Sequence, residues 1–197
     1  MNTTGFVTAG GQSSRMGSDK SWLDLGGQTL IERVIAALAP AVETIAIIAN
    51  SERYRSLGYP VYSDENTGIG PLEAIRVALT NSKTEYAIVV GCDLPFVTAD
   101  LFSTLLELGR GFDAVVPESS AGQLEPLCAA YSVRALPAVD EIIRGGRRKT
   151  AYVFDQVHTR IVAFDEIQSL GGSHLFFVNV NTREDYARAQ QLAESRR

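Results

Sequence analysis

A chain of 197 residues, 45% hydrophobic and 21% charged, has the length of one domain and the composition of an ordinary globular protein. Its 18 Lys and Arg against 23 Asp and Glu leave a net charge of -5, which excludes the broad basic surface that nucleic acid or anionic lipid requires. No run approaches the ~20 apolar residues that span a bilayer, and Met1-Asn2-Thr3-Thr4-Gly5 lacks the basic start and apolar core of a signal peptide, so we expect a cytoplasmic chain whose residues 1–197 form a single domain.

The first strand-like run, 5–9, leads into V7-T-A-G-G-Q-S-S-R-M-G-S-D-K20. Gly10, Gly11 and Gly17 allow backbone conformations in which amide N–H groups point at a polyanion, and Arg15 and Lys20 supply the countercharge. The spacing is neither G-x-x-x-x-G-K-[ST] nor G-x-G-x-x-G, so neither a P-loop NTPase nor a dinucleotide dehydrogenase is favoured. A bare Gly-Gly is more often a plain strand-to-helix turn.

Leu30, Val34, Ile35 and Leu38 then recur at helical spacing, and strands follow over 44–49 and 60–62. Pro71 opens a helix carrying Leu72, Ile75, Ala78 and Leu79, and a strand over 86–91 leads to Asp93. Leu101, Leu105 and Leu108 form a third helix capped by Thr98. Further strands are expected over 113–116, 124–131 and 159–164. A strand-like segment over 177–180 precedes a closing helix over 183–194, with Asn181-Thr182 at its cap. Strands alternating with helices, without repeats or a long linker, predict a three-layer α/β/α fold with a mostly parallel sheet. Ligands of such sheets collect outside the carboxyl ends of the strands, where the loops after Ala9, Ala49 and Gly91 converge.

Asp93 ends its apolar strand at that edge, where a carboxylate can coordinate Mg²⁺ bridging nucleotide phosphates; a turn or cap aspartate before Pro95 is the structural alternative. Cys92 and Cys128 sit in apolar segments without metal-ligand spacing and read as reduced core residues. His158 and His174 fall late and outside the motifs, on the surface or in local hydrogen bonds. Arg147, Arg148 and Lys149 follow two glycines and suit either a ligand phosphate or a solvated helix end. Asn179 and Asn181, two apart in an extended segment, would share a face opposite Val178 and Val180 and offer amides to a polar ring edge.

The segment T8-A-G-G-Q-S-S-R-M-G-S-D-K20 closely resembles the L-A-G-G-x-x-x-R-M-G-x-D-K signature of the molybdenum cofactor guanylyltransferases. The likeness continues in order through I48-A-N50, S63-D-E-N-T-G-I-G-P-L72, V90-G-C-D-L-P-F96, E125-P-L-C-A-A-Y131, G145-G-R-R-K149 and F177-V-N-V-N-T-R-E-D185, roughly nine tenths of the chain. The resemblance implies a glycosyltransferase-A-like nucleotidyltransferase fold and Mg²⁺-dependent transfer of GMP from GTP to the phosphate of molybdenum-loaded molybdopterin. It implies a nucleotide-binding N-terminal half and a molybdopterin-binding C-terminal half. By resemblance Thr8, Ala9, Gly10, Gly11, Lys20, Asn50, Asp64 and Asp93 bind GTP. Arg15, Lys20 and Asp93 carry catalysis, with Asp93 on the metal, and molybdopterin is bound by Arg147, Arg148 and Lys149 at its phosphate and by Asn179 and Asn181 at the pterin edge.

No catalytic base is needed, because the acceptor phosphate, with a second pKa near 6, is largely dianionic at neutral pH. The sequence departs from the family pattern at Thr8 (usually Leu), at Glu73-Ala74 (commonly Ala-Gly) and at Glu125 (frequently Gln or His), which bears on acceptor and base preference. A molybdopterin cytidylyltransferase and a noncatalytic cofactor carrier stand as the alternatives. A chaperone or cofactor-insertion partner is chemically sensible for so labile a product.

Overall fold

The computed structural model describes residues 2–9, 19–64 and 69–195. Its seven strands are β1 (Thr3–Thr8), β2 (Thr44–Ile48), β3 (Val61–Tyr62), β4 (Tyr86–Gly91), β5 (Ala114–Pro117), β6 (Cys128–Ser132) and β7 (Thr159–Val162). They form one sheet in the order β3-β2-β1-β4-β6-β5-β7. All pairings are parallel except those of β6, which runs antiparallel to both β4 and β5. The mostly parallel α/β sheet expected from the sequence is therefore present.

Helices cover both faces because alternate residues of the central strands point opposite ways. Val7, Ile88 and Val90 pack with Ile31 and Val34 of α1 (Leu30–Leu38) and with Leu101 and Phe102 of α3 (Ala99–Leu108). On the other face Phe6, Val89 and Val116 meet Leu72 and Ile75 of α2 (Pro71–Asn81) and Val139 and Ile142 of α4 (Leu136–Arg144). Full burial of each such side chain is worth about 1.5–3 kcal/mol, which makes β1 and β4 the stable centre of the sheet. The Thr98 cap forms as expected, its side chain accepting from the Leu101 N–H, and α1 starts with a reciprocal Thr29–Glu32 capping box.

Three elements differ from the sequence expectation. The strand expected over 124–131 starts only at Cys128, because the Cys128 N–H turns back to the Glu125 carbonyl and Leu124 pairs singly with Glu118. The strand expected over 159–164 stops at Val162, since Phe164–Ile167 is a helical turn, α6. The segment 177–180 is no strand. The Val178 N–H bonds to the Leu175 carbonyl, following a 3-10 turn over Ser173–Leu175, and the Val180 N–H reaches the Asp93 carbonyl. The sequence reading passed over α4 and α5 (Ala151–Gln156).

The closing helix, α7 (Arg183–Glu194), is capped by Thr182, and its Ala189 packs with Leu25, Leu30, Phe96, Leu175 and Val180. The Tyr186 hydroxyl donates to the Asp24 carbonyl, fastening α7 to the segment just before α1. Among the described residues no helix is long and apolar enough to cross a membrane. Cys92 and Cys128 are free and buried, as expected.

Gly5 marks the tightest contact of β1 with α1. A Cβ there would lie 2.8 Å from Leu38 Cγ and 3.2 Å from Val42 Cγ2. Gly5→Ala is expected to destabilise the fold by about 1–3 kcal/mol through overpacking, measured as a lower urea midpoint with an unchanged m-value.

Candidate active site

The site is built where β1, β2 and β4 end. The Ala9 N–H donates to the Ile48 carbonyl (2.9 Å) and the Cys92 N–H to the Thr8 carbonyl (3.0 Å), so Thr8 and Ala9 are wedged between the ends of the neighbouring strands. Asn50 follows β2, and its Oδ1 accepts the Asp64 N–H at 2.8 Å. Two residues 14 apart in sequence, both implied in nucleoside contact, therefore form one pair beside the end of β1. Gly10, Gly11 and Arg15 lie outside the described residues.

Lys20 opens a 3-10 helix, Lys20–Trp22, whose cap is Asp19. Its ammonium is shared: Nζ donates to Asp93 Oδ2 and to Asn181 Oδ1, each at 2.8 Å. Lys20 and Asp93 side chains remain 19% and 23% exposed, so the pair is reachable by a ligand while largely shielded from water. Below it runs a buried polar chain. The Tyr54 hydroxyl donates to Asp19 Oδ2 at 2.6 Å and lies 2.9 Å from Ser21 Oγ, which is 3.2 Å from Cys92 Sγ. Burial, reinforced by Asp19, raises the Tyr54 pKa. Burial and then the neighbouring Asp93 push the Cys92 thiol up to about 12. Both are neutral partners at ordinary pH, and they fix the backbone from which Lys20 projects. Trp22 packs on Tyr54 with the rings tilted by 30° and their centroids 5.5 Å apart, and the Arg53 guanidinium lies 4.2 Å from the Trp22 ring centroid.

Asp93 follows β4 after one residue, and its carboxylate folds back over Gly91, where a Cβ would overlap Asp93 Oδ1. Glycine at 91 is thus a condition for this carboxylate position. The β5–β6 connection approaches from the other side, with the Gly91 N–H on the Leu127 carbonyl (2.9 Å). It brings in Glu125, whose carboxyl is raised to about 7 by burial and then by the negative charge of Asp93. Glu73, the other departure from the family pattern, is fully buried, and Arg76 clamps it with Nε at 2.9 Å from Oε2 and Nη2 at 2.5 Å from Oε1. A carboxylate so paired adds no free negative charge to the site.

Of the remaining expected residues, Asn181 joins this cluster through Lys20. Arg147, Arg148 and Lys149 lie on the exposed segment between α4 and α5. Arg147 packs over Tyr152 at 5.0 Å. Asn179 and Asn181 are both exposed, with Val180 buried between them, and they have different partners: Asn179 Nδ2 donates to the Phe177 carbonyl (3.3 Å), whereas Asn181 Oδ1 accepts from Lys20. His158 stacks on Phe112 at 4.3 Å where β7 begins, and His174 is exposed. Neither histidine enters the cluster. Sequence reasoning missed Asp19, Tyr54 and Gly91. Only Asp19 carried a signal, as the residue before Lys20 in the glycine-rich stretch.

Comparison with known proteins matches the family model described as a MobA-like NTP transferase domain over residues 5–159. A protein of Pelotomaculum thermopropionicum, named probable molybdenum cofactor guanylyltransferase, is 32% identical over 198 residues, covering 100% of this chain and 96% of its own. A molybdenum cofactor guanylyltransferase of Shewanella woodyi is 33% identical, covering 96% and 94%. Among solved structures, molybdopterin-guanine dinucleotide biosynthesis protein A of Archaeoglobus fulgidus superposes with a TM-score of 0.83 at 24% identity, over 98% of this chain and 99% of that one, and so shares the fold.

Glu125 yields a pH prediction. Its carboxyl lies at about 7 in the folded chain against 4.5 for the free group, so the stability linked to its protonation is fully present below 4.5 and lost as pH rises through 7. Glu125→Gln in the ligand-free protein is expected to raise the melting temperature more at pH 8 than at pH 5. A difference independent of pH would contradict this environment for Glu125.

Proposed function

The chain belongs to the MobA-like NTP transferase family, and from that membership together with the Lys20–Asp93 pair we propose that it transfers GMP from GTP to the phosphate of molybdenum-loaded molybdopterin. The observation that carries this reading is a shielded lysine–carboxylate pair at the end of β4, the strand next to β1. An acceptor phosphate oxygen attacks the α-phosphorus of GTP. One P–O bond forms, the α–β bridging P–O bond breaks, and pyrophosphate leaves with its electron pair. A dianionic acceptor needs no proton removed, consistent with the distance of both histidines from the site.

We assign the residue roles by the family resemblance. Thr8, Ala9, Gly10 and Gly11 present backbone to the nucleoside and phosphates, Asn50 and Asp64 hold the guanosine, and Arg15 and Lys20 neutralise charge that grows on the departing pyrophosphate. Asp93 suits a divalent cation: its carboxylate is a hard oxygen donor kept in place by Gly91. Among the described residues no group of three or more His, Cys, Asp and Glu could hold a metal ion, which fits an ion shared with phosphate oxygens rather than caged by protein. We assign Mg²⁺, which when bound neutralises phosphate charge and aligns the α-phosphate. We assign Arg147, Arg148, Lys149 and Asn179 to molybdopterin, as basic and polar groups for its phosphate and ring edge.

We read residues 1–197 as one nucleotidyltransferase domain, acting in the cytoplasm without nucleic acid or membrane as partner and passing its product to a molybdoenzyme or its chaperone. Purified protein with Mg²⁺ and molybdenum-loaded molybdopterin is expected to release pyrophosphate and form the guanine dinucleotide with GTP and not with CTP. Product from CTP alone would overturn the base assignment, and product from neither would overturn the transfer. Asp93→Ala is expected to abolish turnover with the fold intact. Gly91→Ala, which displaces the carboxylate without removing it, should lower kcat up to about 10²-fold.

A further inference from the structure

We propose that Asn181 is a positioning residue for Lys20, holding the ammonium on the triphosphate when Asp93 is engaged elsewhere, so that the segment leading into α7 belongs to the nucleotide site. An ammonium has three donors, and among the described residues two are committed, to Asp93 Oδ2 and Asn181 Oδ1 at 2.8 Å each. The third is left for a phosphate oxygen. This inference rests on the proposed GTP reaction, in which Asp93 gives its oxygens to a divalent cation. A carboxylate so engaged is a weakened acceptor for Lys20, whereas an amide oxygen keeps its bond. The amide is also uncharged, so it aims Lys20 without cancelling the charge the triphosphate needs, as a second carboxylate would.

Asn181 can serve as an anchor because its backbone is fixed on both sides. Val180 is fully buried with its N–H on the Asp93 carbonyl at 2.9 Å, and the Asn181 N–H donates to Asp185 Oδ2 at 3.0 Å inside the first turn of α7. The exposed Asn181 side chain takes no part in the Thr182 cap, so truncating it leaves α7 as built.

The chain holds a single tryptophan, Trp22, two residues from Lys20, whose fluorescence reports nucleotide binding without turnover. Titration with GTP and Mg²⁺ would compare the wild type, Asn181→Ala, Lys20→Ala and the double variant. Asn181→Ala is expected to bind about tenfold more weakly, to raise KM for GTP and to leave KM for molybdopterin unchanged. The double variant is expected to bind no more weakly than Lys20→Ala alone. Additive losses in the double variant, or unchanged GTP binding with a raised KM for molybdopterin, would overturn the inference while leaving the guanylyltransferase reading in place. A wild-type protein that bound no GTP would overturn both.

Discussion

A lysine ammonium carries a full charge that tolerates burial only beside acceptors, and at Lys20 those acceptors come from residues 73 and 161 positions away in sequence. Satisfying them requires β1 next to β4, the return of the chain from β7 across the sheet edge, and the docking of α7 on the residues before α1. The strand order and the third apolar cluster are in this sense the means of delivering two oxygens to one nitrogen. Tyr54, Ser21 and Cys92 complete the arrangement from below, giving the Asp19–Lys20 backbone buried neutral partners.

The division of the sheet follows from one reversal. β3, β2, β1 and β4 run parallel, so their carboxyl ends gather Thr8, Asn50, Asp64 and Asp93 at one edge. Because β6 runs the other way, the β5–β6 connection falls at that same edge and places Glu125 next to Asp93. Parallel strands therefore supply most of this edge, and the reversed strand adds the β5–β6 connection to it.

Much of this was legible in the sequence where signal and structure share a length scale. The apolar run 86–91 followed by an acid identified both β4 and Asp93, and the Thr98 and Thr182 caps could be read from their residue types. The pairing of Asn50 with Asp64 was accessible only through family resemblance, since no local pattern links residues 14 apart on different strands. Tyr54 and Gly91 were invisible because their roles depend on which residues come to lie beside them. The segment 177–180 misled for a specific reason. F-V-N-V-N alternates with period two, but Val180 is buried through its backbone bond to Asp93 and its packing against α7, so the alternation encoded a clasp rather than a strand.

That clasp has a consequence for biogenesis. A ribosome produces the chain from residue 1 onward, so β1, β4 and Asp93 emerge long before Asn181 and α7. Until 175–194 are synthesised, Leu25, Leu30 and Phe96 lack their apolar cover, and Lys20 lacks the partner 161 positions downstream. Contacts of such separation form late and slow folding. A nascent chain can therefore complete its sheet centre while the Lys20–Asp93–Asn181 cluster stays unassembled, so that the cluster closes only once α7 has docked.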